Sequence, residues 1–268
     1  MRYEIIEQTL VPKARSGRGC EDLLAIHGSY VAVIDGATSK SGRRRAGPAD
    51  GALVARIIGD TLHDLEAGLS GPALVAALTD RVRAAPGSTA RTGAACAILS
   101  LGARTVTRVG DITVQVNSRS DMPAKRIDTI VAAARAAYTS ALLEGKEWTV
   151  ATVAAGDPGR RLMLPLLQRQ RAFQNNAESP YGYGSIDGTP VPDGFIDQIP
   201  VSPGDLLVMA TDGYPELGAD LAETEALLAA DLARDPPRVG VHPATKGFDA
   251  ARQVSFDDRA YLRLRLRD

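Results

Sequence analysis

The stretch YVAVIDGAT at residues 30–38 is an apolar run that stops at an Asp-Gly pair beginning with Asp35. A second stretch far downstream, DLLVMATDG at 205–213, has the same order and reaches Asp212 before its glycine. A short, continuous apolar run of strand-forming residues is typical of a buried strand. A buried strand fixes the side chain at its end, so two such strands can bring two carboxylates together. The sequence therefore predicts a paired-carboxylate site at one edge of the core.

Two further acidic pairs border predicted strands. Glu21 and Asp22 come just before the predicted strand at 23–26, and Asp257 and Asp258 come just before the last predicted strand. Magnesium and manganese prefer oxygen ligands, and a glycine after an aspartate lets its own carbonyl approach a cation. Clustered carboxylates without a cation would repel one another and raise their pKa values. We therefore interpret the chain as a hydrolase that uses hard divalent cations.

The Asp-Gly dipeptide alone is weak evidence, because its usual role is a turn. We assign Asp187 and Asp193 to turns and Asp50 to the start of a helix, where a carboxylate caps free backbone donors. Only Asp35 and Asp212 close a long apolar strand. These two are the candidates for chemistry.

Composition limits the possible classes of protein. With 268 residues and glycine and proline scattered along them, we expect one domain, 1–268. The 31 basic and 32 acidic residues nearly cancel, which disfavours nucleic acid or an anionic membrane as a partner. No apolar stretch approaches the roughly 20 residues of a membrane helix. The cysteines show no pairing pattern and the chain begins without a leader, so we expect a cytoplasmic monomer.

Hydrophobic periodicity predicts the elements. Strands are predicted at 2–11, 23–26, 30–35, 93–101, 104–109, 112–116, 195–201, 206–210 and 259–267. Helices are predicted at 50–67, from 70 to about 86, and at 127–143, 162–173 and 219–233. The three strands between 93 and 116 suggest an antiparallel meander. Strand clusters mixed with pairs of helices predict an α+β fold, with antiparallel sheets and helices packed outside them.

Other chemistries fit less well. No serine lies in a nucleophile elbow, the histidines follow no zinc spacing, and no glycine loop is suited to cradling phosphate. A basic loop at 13–20 leads into the Glu21 pair and can bring cations beside the acids. The three arginines at 43–45 fit either a solvated loop or phosphate binding.

Taken in order, the acidic motifs resemble the metal-dependent type 2C family of serine/threonine protein phosphatases, as a divergent bacterial-like member. The resemblance covers nearly the whole chain and rests on the pieces GCEDLLAI, YVAVIDGATS, VTRVGDITV, PGDLLVMATDGY and SFDDRAYLRL. It implies two packed antiparallel sheets flanked by helices on both sides, an αββα four-layer sandwich. It also implies two manganese or magnesium ions at one end of the sandwich.

The resemblance assigns metal ligands by position. Asp35 would bridge both cations, and the Gly36 carbonyl and Glu21 would join it at the second cation. Asp212 and Asp257 would complete the first site. Every primary metal position of the family thus retains a competent ligand in this sequence.

The resemblance also implies a phosphate-binding arginine shortly before the Glu-Asp pair. Arg18 is the nearest match, and Arg15 is the alternative because the spacing is unusual. The implied catalytic residues are Asp35, Asp212 and Arg18. The implied reaction is direct hydrolysis, in which a metal-bridging water attacks phosphorus while Arg18 and the cations neutralise its oxygens. The implied substrates are phosphoserine and phosphothreonine in proteins.

Departures from the family pattern bear on the substrate more than on the metals. Ala37 and Thr38 stand where the family usually has two glycines, and the turn at 110–113 reads GDIT in place of Gly-Asp-Ser-Arg. A divergent helical and loop region occupies about 118–190. Two alternatives follow: a phosphatase of a small phosphorylated metabolite, or a catalytically silent domain that binds a partner.

Overall fold

The computed structural model describes residues 1–16, 19–37, 50–85 and 92–268, and these form ten strands and six α-helices. The strands are β1 (Arg2–Val11), β2 (Asp22–His27), β3 (Tyr30–Ala37), β4 (Gly93–Ser100), β5 (Thr105–Val109), β6 (Thr113–Val116), β7 (Arg119–Asp121), β8 (Ile196–Pro200), β9 (Leu206–Ala210) and β10 (Arg259–Arg267). The helices are α1 (Asp50–Asp64), α2 (Gly71–Ala84), α3 (Arg126–Glu144), α4 (Val150–Gly156), α5 (Pro158–Arg169) and α6 (Leu221–Arg234). Two short 3-10 helices lie at Gln170–Phe173 and Asp193–Phe195.

The strands form two five-stranded antiparallel sheets. One has the order β1-β10-β9-β6-β7 and the other has the order β2-β3-β4-β5-β8. Apolar side chains from both sheets meet in a shared core that includes Val31, Val33, Ala97, Leu99, Met209, Leu262 and Leu264. The predicted α+β class with packed antiparallel sheets is confirmed.

Strand β3 is buried on both of its faces, which explains its uninterrupted apolar run. Tyr30, Ala32 and Ile34 pack with α1 and α2, whereas Val31 and Val33 face the second sheet. Strand β4 repeats this division of its side chains. Because neither face meets solvent, neither face needs polar residues, and the usual alternation is lost. These two strands are therefore buried within the sandwich.

Helices cover the outer faces of both sheets. The amphipathic helices α1 and α2 pack on the sheet that contains β3, as predicted. Helix α6 covers the other sheet, with Leu228 and Leu232 in one cluster with Val208 and Tyr261. The order of layers is therefore helix, sheet, sheet, helix. Within the described ranges, no helix combines the length and apolar character needed to cross a bilayer.

The predicted meander is wrong in its third strand. Strand β5 pairs with β4 and β8, whereas β6 pairs with β7 and β9 of the other sheet. Gly110 makes this crossing possible, with φ +85° and a position where an added Cβ would lie 2.6 Å from the Ala95 side chain. Only glycine combines that backbone conformation with so close an approach. Alternation identifies a strand but does not say which sheet it joins.

Strand β10 follows its predicted alternation. Its leucines enter the core between the sheets. Two of its four arginines pair with glutamates of β1, with Arg263 Nη1 3.0 Å from Glu7 Oε2 and Arg267 Nη2 2.6 Å from Glu4 Oε2. One face of this strand therefore packs in the core, and the other face forms cross-strand ion pairs.

Candidate active site

A cavity of about 380 Å³ lies beside the ends of strands from both sheets. Among the described residues, its lining contains six carboxylates, from Glu21, Asp35, Asp128, Asp212, Asp257 and Asp258. It also contains four cationic side chains, from Lys13, Lys125, Arg160 and Lys246. The formal charge of this lining is therefore −2. Cavities that collect so many titratable groups are candidate functional sites.

The strands deliver these acids as the sequence predicts. Asp35 lies near the end of β3, and Asp212 lies two residues beyond β9 of the opposite sheet. Gly36 follows Asp35, and its N–H donates to the Glu21 carbonyl at 3.1 Å. A Cβ at Gly36 would lie 2.3 Å from the Gly51 carbonyl oxygen at the start of α1. The glycine is thus required by the close approach of that helix.

Asp35 and Asp212, which we call the open carboxylates, accept no hydrogen bond or ion pair on their side chains within the described ranges. Burial, with repulsion from Asp111 and Asp257, raises the pKa of Asp35 to about 6. Desolvation of the carboxylate by the surrounding cavity, with repulsion from Asp35, raises the pKa of Asp212 as well, even though the residue is exposed at the cavity mouth. Burial is the largest cause in both cases and repulsion from neighbouring carboxylates adds to it, and a bound cation would relieve that repulsion.

Asp257 and Asp258, which we call the lysine-paired carboxylates, have the opposite surroundings. Asp257 Oδ1 lies 3.2 Å from Lys13 Nζ, and its Oδ2 contacts Lys246 Nζ. Burial alone would raise the pKa of Asp257, but these two ammonium groups hold it well below its usual range. The buried Asp258 accepts from Lys13 Nζ at 3.0 Å and from the Lys13 and Glu21 backbone N–H groups at 2.7 and 3.2 Å.

Two more acids stand beside the cavity lining. The Asp111 carboxylate pairs with Lys125 Nζ at 2.8 Å. Asp22 is buried and accepts from the Thr211 hydroxyl at 2.7 Å, a bond that joins the two sheets behind the site. Burial and the nearby Asp35 raise the pKa of Asp22. The negative charge around the open carboxylates therefore extends beyond the cavity surface.

The donor set suits hard divalent cations. Within the described ranges, no three Asp, Glu, His or Cys side chains are already drawn together as a chelating group. The Lys13 ammonium nevertheless lies 3.0, 3.2 and 3.7 Å from oxygens of Asp258, Asp257 and Glu21, so positive charge occupies the place between them. Carboxylate oxygens are the ligands that Mg²⁺ and Mn²⁺ prefer. The residues therefore fit divalent cations in chemistry and charge.

All five residues predicted to hold metal line this one cavity: Glu21, Asp35, Gly36, Asp212 and Asp257. Arg15, the alternative phosphate-binding residue, is exposed and outside the lining, and its Nε donates to the Ala250 carbonyl at 2.8 Å. Arg18 lies outside the described residues, as do the arginines at 43–45. The phosphate-binding assignment to Arg18 stays a prediction.

Sequence reasoning missed most of the cationic lining. Lys13 belongs to the basic loop that was expected to bring cations beside the acids, so its position follows that expectation. Lys125 precedes α3 and Lys246 lies in the segment between α6 and β10, and neither belongs to a motif. Arg160 lies in the first turn of α5 and donates to the Thr245 carbonyl at 2.7 Å. Only tertiary packing brings these side chains together.

Comparisons with known proteins give structural likeness alone. No family model and no curated protein matches the chain. Among solved structures, the chain is similar to the serine/threonine phosphatase PstP of Mycobacterium tuberculosis, with 14% identity, a TM-score of 0.48 and coverage of 100% of this chain and 99% of that one. It is also similar to the serine/threonine phosphatase Stp1 of Staphylococcus aureus, with 12% identity, a TM-score of 0.49 and coverage of 99% and 96%.

A third similar structure is RsbX in complex with magnesium, with 11% identity, a TM-score of 0.46 and coverage of 99% of this chain and 100% of that one. At these values the likeness assigns no residue roles. The chemistry of the cavity has to carry any functional conclusion.

Proposed function

We propose that this chain is a metal-dependent phosphate-monoester hydrolase of the type 2C kind, which acts on phosphoserine and phosphothreonine in proteins. The observation that supports it most is the pair of open carboxylates, which lie at the ends of strands from two different sheets and line one cavity with no side-chain partner among the described residues. Unpaired charges in crowded surroundings are costly, and a bound cation removes that cost.

In this proposal, five groups hold two Mn²⁺ or Mg²⁺ ions. They are the carboxylates of Glu21, Asp35, Asp212 and Asp257 and the carbonyl of Gly36. When bound, two such cations supply an activated water and positive charge for the oxygens on phosphorus. The chain's own contribution is position, because strand ends and the tight contact of Gly36 with α1 hold the donors in place.

The charge of the cavity supports a phosphate substrate. Its described lining has a formal charge of −2, which would attract cations and repel a bare phosphate. Two divalent cations would change that charge to +2. A phosphate monoester carries about −1.5 to −2 at neutral pH, so the loaded cavity would match it.

Cationic side chains of the cavity lining can orient the phosphate. Lys125, Lys246 and Arg160 all line the cavity, and Arg160 is held by its bond to the Thr245 carbonyl. Arg18 is proposed for the same role. The divergent region at 118–190 provides much of the cavity lining, including Gln174 and Tyr183, which are suited to substrate contacts.

The proposal places the protein in the cytoplasm. Both cysteines are free thiols, with Cys20 half-buried and Cys96 buried. Free thiols of this kind are typical of a reducing compartment.

The test is release of inorganic phosphate from phosphoserine and phosphothreonine peptides, compared with sugar phosphates and nucleoside monophosphates, in Mn²⁺ or in chelator. We expect Mn²⁺-dependent turnover of the peptides that is lost in Asp212→Asn and kept in Asp193→Asn, a control at an exposed Asp-Gly pair. Turnover of the small esters alone would assign a metabolite phosphatase. Mn²⁺ binding with no turnover of any ester would assign a silent binding domain.

A further inference from the structure

The two kinds of carboxylate in the cavity present unequal positions to a cation. The open carboxylates have no side-chain partner in the described part of the chain. The oxygens of Asp257, in contrast, already bind two ammonium groups and the Asp258 backbone N–H, which donates to Oδ1 at 3.0 Å. A divalent cation at Asp257 therefore meets positive charge that is already in place.

Lys13 is held in this position by its backbone. Its N–H donates to Asp258 Oδ1 at 2.7 Å, and its carbonyl accepts from the Val254 N–H at 2.8 Å. The next residue, Ala14, forms a β-bridge with Gln253. The main chain is thus fixed on both sides, and from this fixed point the side chain lines the cavity.

The ammonium of Lys13 lies within 3.7 Å of oxygens of Glu21, Asp257 and Asp258. Glu21 and Asp257 are also the residues that the proposed function assigns to the two cations, one to each. An ammonium and a divalent cation that share a carboxylate repel each other strongly in a partly buried site. The Lys13 ammonium and a divalent cation therefore cannot both bind these carboxylates tightly.

We propose that Lys13 is an internal competitor of one of the two divalent cations. In this inference, which rests on the proposed function, the first cation binds the open carboxylates. The second, which Glu21 would hold beside Asp35 and Gly36, binds only when the Lys13 ammonium moves away from Glu21. Lys13 thereby raises the concentration of divalent cation at which both positions are occupied.

Titration of the full-length chain with Mn²⁺ tests this, with heat measured by calorimetry and bound Mn²⁺ counted by electron paramagnetic resonance. The variants are Lys13→Met, which removes the charge, and Lys13→Gln, which also keeps a donor for Asp258. Lys146→Met is the matched control, because Lys146 is exposed between α3 and α4. Circular dichroism confirms folding, and Lys13→Gln carries the test if Lys13→Met does not fold.

We expect two unequal Mn²⁺ affinities in the unmodified chain. Both Lys13 variants should tighten the weaker one at least about tenfold. They should tighten the stronger one by less, because Lys246 still contacts Asp257, which belongs to that position. Lys146→Met should match the unmodified chain. A second Mn²⁺ that binds only in the Lys13 variants would support the proposal equally.

An unchanged weaker affinity in both Lys13 variants would overturn the competition while leaving the proposed function intact. If neither the unmodified chain nor any variant bound Mn²⁺, the proposed function and the competition would both be wrong.

Discussion

The open carboxylates and the lysine-paired carboxylates are the same residue type at the same kind of place, the border of a strand. Their electrostatics are nevertheless opposite: the pKa of Asp35 is raised to about 6, whereas the pKa of Asp257 is held well below its usual range. Both carboxylates are desolvated by burial, and they differ in direct contacts: Lys13 and Lys246 bind Asp257, whereas no ammonium group of the described residues pairs with Asp35. A strand end fixes where a carboxylate lies, and distant loops decide its charge balance.

The largest expected effect comes from removing an open carboxylate. Asp35→Asn should weaken Mn²⁺ binding at least about a hundredfold, because losing a direct ligand costs more affinity than losing a residue that only contacts a ligand. In chelator, its melting temperature should stay equal or rise, because a repelling charge is gone. Calorimetry and thermal unfolding measure both effects, with Asp193→Asn as control. Mn²⁺ binding as tight as in the unmodified chain would remove Asp35 from the site.

Removing a lysine-paired carboxylate should have the opposite effect on stability. Asp258→Asn leaves the Lys13 ammonium without its nearest charged partner and weakens the backbone bonds to Lys13 and Glu21. Because the Lys13 side chain is 28% exposed, we expect a loss of only about 1–3 kcal/mol in the free energy of unfolding. Urea denaturation in chelator measures it. A stability equal to that of the unmodified chain would show that Asp258 does not hold this loop.

The pH dependence of stability should also distinguish the open carboxylates from the lysine-paired carboxylates. In chelator, the folded chain keeps protons on Asp35 up to about pH 6, whereas the unfolded chain releases them near pH 4. The folded state thus binds more protons between these values, and the free energy of unfolding should fall as pH rises through them. The raised pKa values of Asp22 and Asp212 act in the same direction.

The lowered pKa of Asp257 acts in the opposite sense, and its stabilisation is lost only at more acid pH, as pH falls below about 4. Urea midpoints measured from pH 4 to 7 in chelator should therefore decline with rising pH, and less steeply in Asp35→Asn. A rise in the free energy of unfolding between pH 4 and 7 would contradict the raised pKa values of the open carboxylates.

The smallest effect is expected at a surface ion pair. Arg267 and Glu4 are paired at 2.6 Å, but their side chains are 59% and 58% exposed. Arg267→Gln should change the free energy of unfolding by less than about 0.5 kcal/mol and leave Mn²⁺ binding unaltered. A larger change, measured by the same urea titration, would mean that exposed pairs matter here as much as those in the cavity.

Much of this architecture could be predicted because it follows from local pattern. The doubly buried β3, the alternating β10 and the acids at strand borders are all visible as runs of residue types. The path of β6 was not predictable in this way, because it depends on how closely Gly110 can approach Ala95. Periodicity records which faces are buried and leaves the pairing partner open.

Long-range charge networks are the other part that the sequence does not show. Arg135 lies in the middle of the alanine-rich α3 and is fully buried. It pairs with Asp157 at 2.9 Å and donates to the carbonyls of Pro237, Arg238 and Ala244. These bonds hold the segment that carries Lys246 against the cavity. No local spacing predicts them, because Asp157 is 22 residues away and the three carbonyls are 102 to 109 residues away.

The most direct test of the central claim is hydrolysis of a generic aryl phosphate by the unmodified chain and by Asp35→Asn, in Mn²⁺, in Mg²⁺ and in chelator. The account predicts turnover by the unmodified chain that requires a divalent cation and disappears in Asp35→Asn. Turnover that persists in chelator, or that survives the substitution, would contradict a metal-dependent phosphatase site at the open carboxylates.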